Sequence, residues 1–122
     1  MIDIKKFFKS VRHALEGIHY ALNSDQNLII HSLSAFVVIL LAIFLQVTPF
    51  EMGILGVTIL VVISAEMVNT ALEKMVDLIT KEHRAEAKIA KDISAGMVLI
   101  SSVGAAVIGG LIFLPYIVRF FR

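Results

Sequence analysis

Apolar and polar positions divide this chain into four blocks. Over residues 4–22, Ile4, Phe7, Phe8, Val11, Leu15, Ile18 and Leu22 recur at helical spacing, while Lys5, Lys6, Lys9, Arg12, Glu16 and His19 fill the other face. A basic face opposed to a Phe-rich one predicts a helix lying in a membrane interface. The polar break Asn23-Ser24-Asp25-Gln26-Asn27 has turn and N-cap character, and from Gln26 to Phe50 there is no Asp, Glu, Lys or Arg. At about 1.5 Å per residue, 28–47 is long enough to span a bilayer. After a short reversal at 48–51, a second span covers 52–79, wholly apolar to Ala65 and amphipathic beyond it. A charged connector, 81–92, leads to the charge-free run Ile93 to Val118, a third span over 93–118 that Pro115 is expected to end or kink. The pattern predicts an all-α membrane protein of one domain over 1–122: a surface helix followed by three transmembrane helices.

Composition sharpens this picture. The chain is 58% apolar and only 17% charged, too little polar surface to clothe a soluble core. Its net charge of +1 points to no nucleic-acid partner, and the absence of cysteine excludes disulfides, thiolate metal sites and cysteine nucleophiles. Charges run throughout residues 1–25, so no cleavable signal peptide is expected there. Lysine and arginine are concentrated in the N-terminal segment (Lys5, Lys6, Lys9, Arg12) and in the connector (Lys81, Arg84, Lys88, Lys91), and are missing from the 48–51 turn. By the positive-inside rule the N-terminus and the connector face the cytoplasm, although Arg119 and Arg122 pull mildly the other way. Small residues in the third span, among them the pairs Ala105/Gly109 and Ala106/Gly110, suit close helix packing.

The most informative stretch is Glu66-Met67-Val68-Asn69-Thr70-Ala71-Leu72-Glu73-Lys74-Met75-Val76-Asp77. Glu66, Asn69, Glu73 and Asp77 stand three, four and four residues apart, hence on one helix face. A row of carboxylates on a membrane-length helix is costly unless something binds it. With the expected topology this face meets Asp25, Asn27 and the connector end Ala90-Lys91-Asp92 at one membrane surface. Carboxylates with a nearby lysine suit a hard cation such as Mg²⁺ holding phosphates, and hence phosphoryl transfer to a membrane-embedded hydroxyl. Neither a Walker A pattern nor G-x-G-x-x-G is present. From spacing alone, phosphoryl transfer, a proton relay and a polar packing seam all account for the row. His31, inside the first span, reads as a packing or hydrogen-bonding histidine, and Lys74 as a snorkelling one.

At these residues the chain resembles the prokaryotic diacylglycerol kinase family of integral-membrane lipid kinases. The matching motifs are E-M-V-N-T-A-L-E-K-M-V-D at 66–77, A-K-D-I-S-A-G at 90–96, F-F-K-S-V-R-H-A-L-E-G-I at 7–18 and Q-N-L-I-I-H at 26–31. Asn27 with His31, the form of the A-K-D motif and L-I-F-L-P at 111–115 are most similar to the Gram-positive branch, which phosphorylates undecaprenol. The resemblance implies a homotrimer in the bacterial cell membrane, ATP as co-substrate with Mg²⁺, a lipid alcohol as acceptor, and active sites shared between subunits. By position, it implies Glu66 as general base, Asn69 as the residue orienting base or acceptor, and Glu73 with Asp25 as metal ligands. It places Lys91, Asp92, Asp77, Glu82, His83, Arg84, Lys6 and His13, along with Asp25 and Glu73, at the nucleotide, and Lys6, Arg12 and Glu66 at the lipid. Position 25, usually Glu in the family, is Asp here, one methylene shorter. The alternatives are diacylglycerol as acceptor and, in another class, a small proton-coupled transporter using Glu66.

Overall fold

A computed structural model describes residues 1–122 as four helices and no strands: α1 (Ile4–Ser24), α2 (Gln26–Phe44), α3 (Pro49–Ile79) and α4 (Ala85–Phe120). Helices α2, α3 and α4 are each long and apolar enough to cross a membrane. The chain is an all-helical, multi-pass membrane protein. Helix α1 keeps its apolar face uncovered, with Phe7, Phe8 and Leu15 all more than half exposed, as a helix that rests on lipid requires.

Single residues and short turns set the path. Asp25 alone separates α1 from α2. Its backbone is extended, its N–H closes α1 on Ala21, and its Oδ1 accepts from Asn27 N–H at 2.9 Å and Leu28 N–H at 3.4 Å to open α2. Between α2 and α3 the chain passes through Gln46 at φ 53°, a left-handed position that lets α2 stop without glycine. Thr48 and Glu51 then form a reciprocal capping box, with Pro49 in the first turn. Tyr116 on α4 donates to the same Glu51 at 2.5 Å, which fastens this end of α4 to the α2–α3 turn.

Helix α4 departs from expectation at both ends. It starts at Ala85, so most of the charged connector is helix and only Thr80–Arg84 forms the reversal. Ala85, Glu86, Ala87, Lys88, Ala90 and Lys91 are strong helix formers, and Lys88 pairs with Asp92 one turn on. The helix also runs through Pro115 to Phe120, so the proline does not end it. The missing N–H costs one bond near the terminus, where the adjoining turns remain intact.

Length fixes what leaves the bilayer. At 31 and 36 residues, α3 and α4 measure about 46 and 54 Å, against about 30 Å of hydrocarbon. Their polar ends, the second half of α3 and the start of α4, therefore project beyond the core as a hairpin. Helix α3 is the hub: it packs most extensively on α4, then on α2, with a smaller contact to α1. The deepest apolar packing, Ala42, Leu55 and Phe113, lies near the opposite end of the bundle from that hairpin.

One tertiary hydrogen bond ties the α1–α2 joint to α3. Thr70 Oγ1 donates to Asp25 Oδ2 at 2.5 Å, with Thr70 buried. A bond to a charged acceptor at such a site contributes about 1.5–3 kcal/mol. Thr70→Val keeps the shape and removes the donor, so it is expected to destabilise the protein by about 1–3 kcal/mol, read from thermal unfolding in detergent. Full retention of stability would show that the α1–α2 joint is held by packing alone.

Candidate active site

Two groups of polar residues lie along α3, and both begin with how its face is covered. Glu66 is 1% exposed and Asn69 7%, where the α1–α2 joint and α4 close over the helix. Neither carboxylate oxygen of Glu66 has a hydrogen-bond partner, nor has Asn69 Oδ1. The charged groups acting on Glu66 are Asp25 from the α1–α2 joint, His31 from α2 and Glu73 from α3 itself. The Asn27 side chain is near enough to act on Glu66 but makes no well-formed hydrogen bond, and a buried carboxylate so placed is costly and calls for a ligand, a proton or a cation. Asn69 Nδ2 donates to Glu73 Oε1 at 3.4 Å, which confirms that these two share a face, while Glu73 itself is exposed.

The second group lies about 16 Å further along α3, in the projecting hairpin. A cleft of about 460 Å³ is lined by Asp77, Glu82, His83, Arg84, Lys91 and Asp92, all six of them expected at the nucleotide, together with Lys81 and Lys88. The tight Thr80–Arg84 reversal, in which Glu82 N–H donates to Thr80 Oγ1, makes this convergence possible. Inside the cleft each acid holds a cation: Lys91 donates to Asp77 at 2.6 Å, Arg84 to Glu82 at 3.2 Å, and Lys88 to Asp92. Lys81 has no such partner. In the sequence Lys81 and Lys88 read only as connector charges that set topology; the i,i+4 spacing of Lys88 to Asp92 is the signal that points Lys88 to the cleft. The same holds for Thr70, four residues after Glu66 on the acidic helix.

The residues expected from α1 do not join either group within one chain. Arg12 donates to Glu16 at 2.9 Å, His13 lies 3.2 Å from the other Glu16 oxygen, and Lys6 contributes its backbone N–H to the Asp3 cap. His13 and Arg12 together hold the Glu16 carboxyl below the usual carboxylate range. Nearer the end of α1, Tyr20 meets α3, with Lys74 Nζ 5.9 Å from its ring centre.

A divalent cation fits the donor chemistry. Asp25 and Glu73 offer hard carboxylate oxygens, and Mg²⁺ is commonly held by one or two carboxylates with substrate phosphates completing the shell. No three His, Asp or Glu side chains converge to hold an ion without such help. Asp25 already spends one oxygen on two cap N–H groups and the other on Thr70, which leaves Glu73 the freer donor.

A profile for prokaryotic diacylglycerol kinase matches residues 12–113. The chain belongs to that family. It is 38% identical over 113 residues to the undecaprenol kinase of Bacillus subtilis (strain 168), which covers 93% of this chain and 92% of that one. It is also 37% identical over 107 residues to a diacylglycerol kinase of Synechocystis, covering 87% of this chain and 61% of the cyanobacterial one. As a member of the prokaryotic diacylglycerol kinase family the protein is a lipid kinase, with ATP as co-substrate and a membrane lipid as acceptor. Of the activities the sequence left open, lipid kinase is thus the one that holds, ahead of a proton-coupled carrier.

Proposed function

We propose that this lipid kinase moves the γ-phosphate of ATP onto the hydroxyl of undecaprenol at the cytoplasmic face of a bacterial membrane, breaking the β,γ-phosphoanhydride bond and giving undecaprenyl phosphate and ADP. The observation that carries the reading is the buried, unpartnered carboxylate of Glu66 at the level where α3 leaves the hydrocarbon. A lipid alcohol anchored by its tail presents its hydroxyl at that depth. Glu66 accepts the hydroxyl proton as general base, within one residue set that also holds Asn69 to orient base or acceptor. Glu73, assisted by Asp25, would hold Mg²⁺, which when bound supplies charge neutralisation to the phosphates. The hairpin cleft receives the nucleotide: Lys91, Asp92, Arg84, His83, Glu82 and Asp77 line it, with Lys81 and Lys88 adding cationic charge.

Lysine and arginine at this end, against none in the Thr48–Glu51 turn, support a cytoplasmic N-terminus and hairpin. The separation of Lys6, Arg12 and His13 from the cleft supports a homotrimer with shared sites, in which α1 of one subunit lines the site of the next. The unpaired small-residue face of α4 is suited to such packing. Undecaprenol is chosen over diacylglycerol on the higher and more complete match to the Bacillus enzyme. The test is transfer from radiolabelled ATP with Mg²⁺ to a panel of lipid alcohols in mixed micelles. Undecaprenol is expected to be phosphorylated with at least tenfold higher kcat/KM than diacylglycerol, a difference of about 1.4 kcal/mol at the transition state. A preference for diacylglycerol would reverse the choice of acceptor.

A further inference from the structure

Ser94 is 3% exposed, and its hydroxyl has no partner. Other helical serines of this chain, Ser10, Ser34 and Ser101, return their proton to the carbonyl four residues back. Ser94 does not; Ser32 and Ser64 also make no such bond, but of these three Ser94 alone is buried. The pairing of α3 with α4 shows what it faces. Lys91 sits against Asp77, and about two to three turns further into the membrane Met97 and Ser101 line a hollow with Val68 and Ala65. The antiparallel register between those points sets Ser94 level with Glu73, about one turn from Asn69. A buried donor on α4 without an acceptor thus lies about one turn from Asn69 Oδ1, a buried acceptor without a donor, and the two make no direct bond.

We infer that Ser94 is a further positioning residue of the site: its hydroxyl serves Asn69 Oδ1 through one buried water, and so holds the amide with Nδ2 on Glu73. An amide can turn over and exchange its oxygen and nitrogen. In the reversed pose Asn69 would present its carbonyl to the Glu73 carboxylate, two acceptors facing each other. A donor on α4 fixes the productive pose. It also makes the register of α4 on α3 part of the geometry around Glu73. This inference rests on the reading of Asn69 and Glu73 as site residues.

The test uses the full-length protein in detergent. In Ser94→Ala without nucleotide or lipid, the side-chain amide protons of Asn69 are expected to exchange with solvent about five- to tenfold faster than in the unaltered protein, followed by NMR. Turnover is expected to fall by a similar factor, with KM for ATP and for the lipid alcohol unchanged and Tm unaltered. The double variant Ser94→Ala/Asn69→Ala is expected to be no slower than Asn69→Ala alone, since both act through one amide. Unchanged amide exchange, additive losses in the double variant, or a fall in turnover that only tracks a fall in Tm would each overturn the assignment. The exchange measurement needs no substrate, so it stands or falls separately from the role of Glu66 as base.

Discussion

Glu66→Gln is expected to lower turnover by about 10²–10⁴-fold, the usual contribution of a positioned general base, and to leave the fold intact. The physical case rests on what surrounds the carboxylate. Glu66 is fully buried, unpartnered, and near the acidic Asp25 and Glu73. Glutamine has the same shape and removes a buried charge from a cluster of like sign. Stability is therefore expected to hold or rise, the behaviour of a residue kept for function at a cost to the fold. Phosphate transfer and Tm measured on the same preparation separate the two effects. Undiminished transfer would remove Glu66 from the chemistry. A large loss of Tm would mean that the carboxylate is structural, with a partner that forms only in the assembled protein.

Lys91→Met is expected to raise KM for ATP by about 10–100-fold with a smaller change in kcat, because a charge-assisted contact to a phosphate is lost. Lys91 is bound to Asp77 at 2.6 Å across the mouth of the hairpin, and both groups are open to water. An exposed pair of this kind is weak and readily exchanged. A nucleotide phosphate can take Lys91 from Asp77 with little penalty, and the same exchange is available to Lys88 on Asp92 and Arg84 on Glu82. On the proposed placement of the nucleotide, the acids of the cleft hold its cations until the phosphates replace them. Asp77→Asn frees Lys91 in advance and is expected to leave KM for ATP unchanged or lower it. A rise as large as that of Lys91→Met would instead mean that Asp77 contacts the nucleotide itself. Steady-state kinetics with ATP varied at saturating lipid distinguish these results.

Much of the architecture was legible in linear form. The charge-free runs before Pro49, Glu66 and Val118 demanded membrane helices, since no other backbone arrangement except a closed barrel satisfies itself in lipid. Asp25 announced itself as a cap, and the three–four–four spacing of Glu66, Asn69, Glu73 and Asp77 placed them on one face. The start of α4 was less legible: Lys88, Lys91 and Asp92 read as a connector because charge suggested loop. Alanine content and the Lys88–Asp92 pair make that segment helical instead. Pro115 misled in the other direction, because a proline near a helix end removes a bond that α4 can spare.

The sequence by itself determined the spans, the caps, the acidic face and the family, because each depends on local periodicity or on residue identity. Only the tertiary structure decided which acids are sealed from water and which merely hold cations. Glu66 and Asp77 stand on the same stripe of α3, yet one is buried and unpartnered while the other is exposed and ion-paired. That difference comes from neighbours distant in sequence: the joint at Asp25, tied to Thr70, closes over the first, and the start of α4 folds back beside the second. Burial is a property of what packs against a side chain, and no spacing along one helix encodes it.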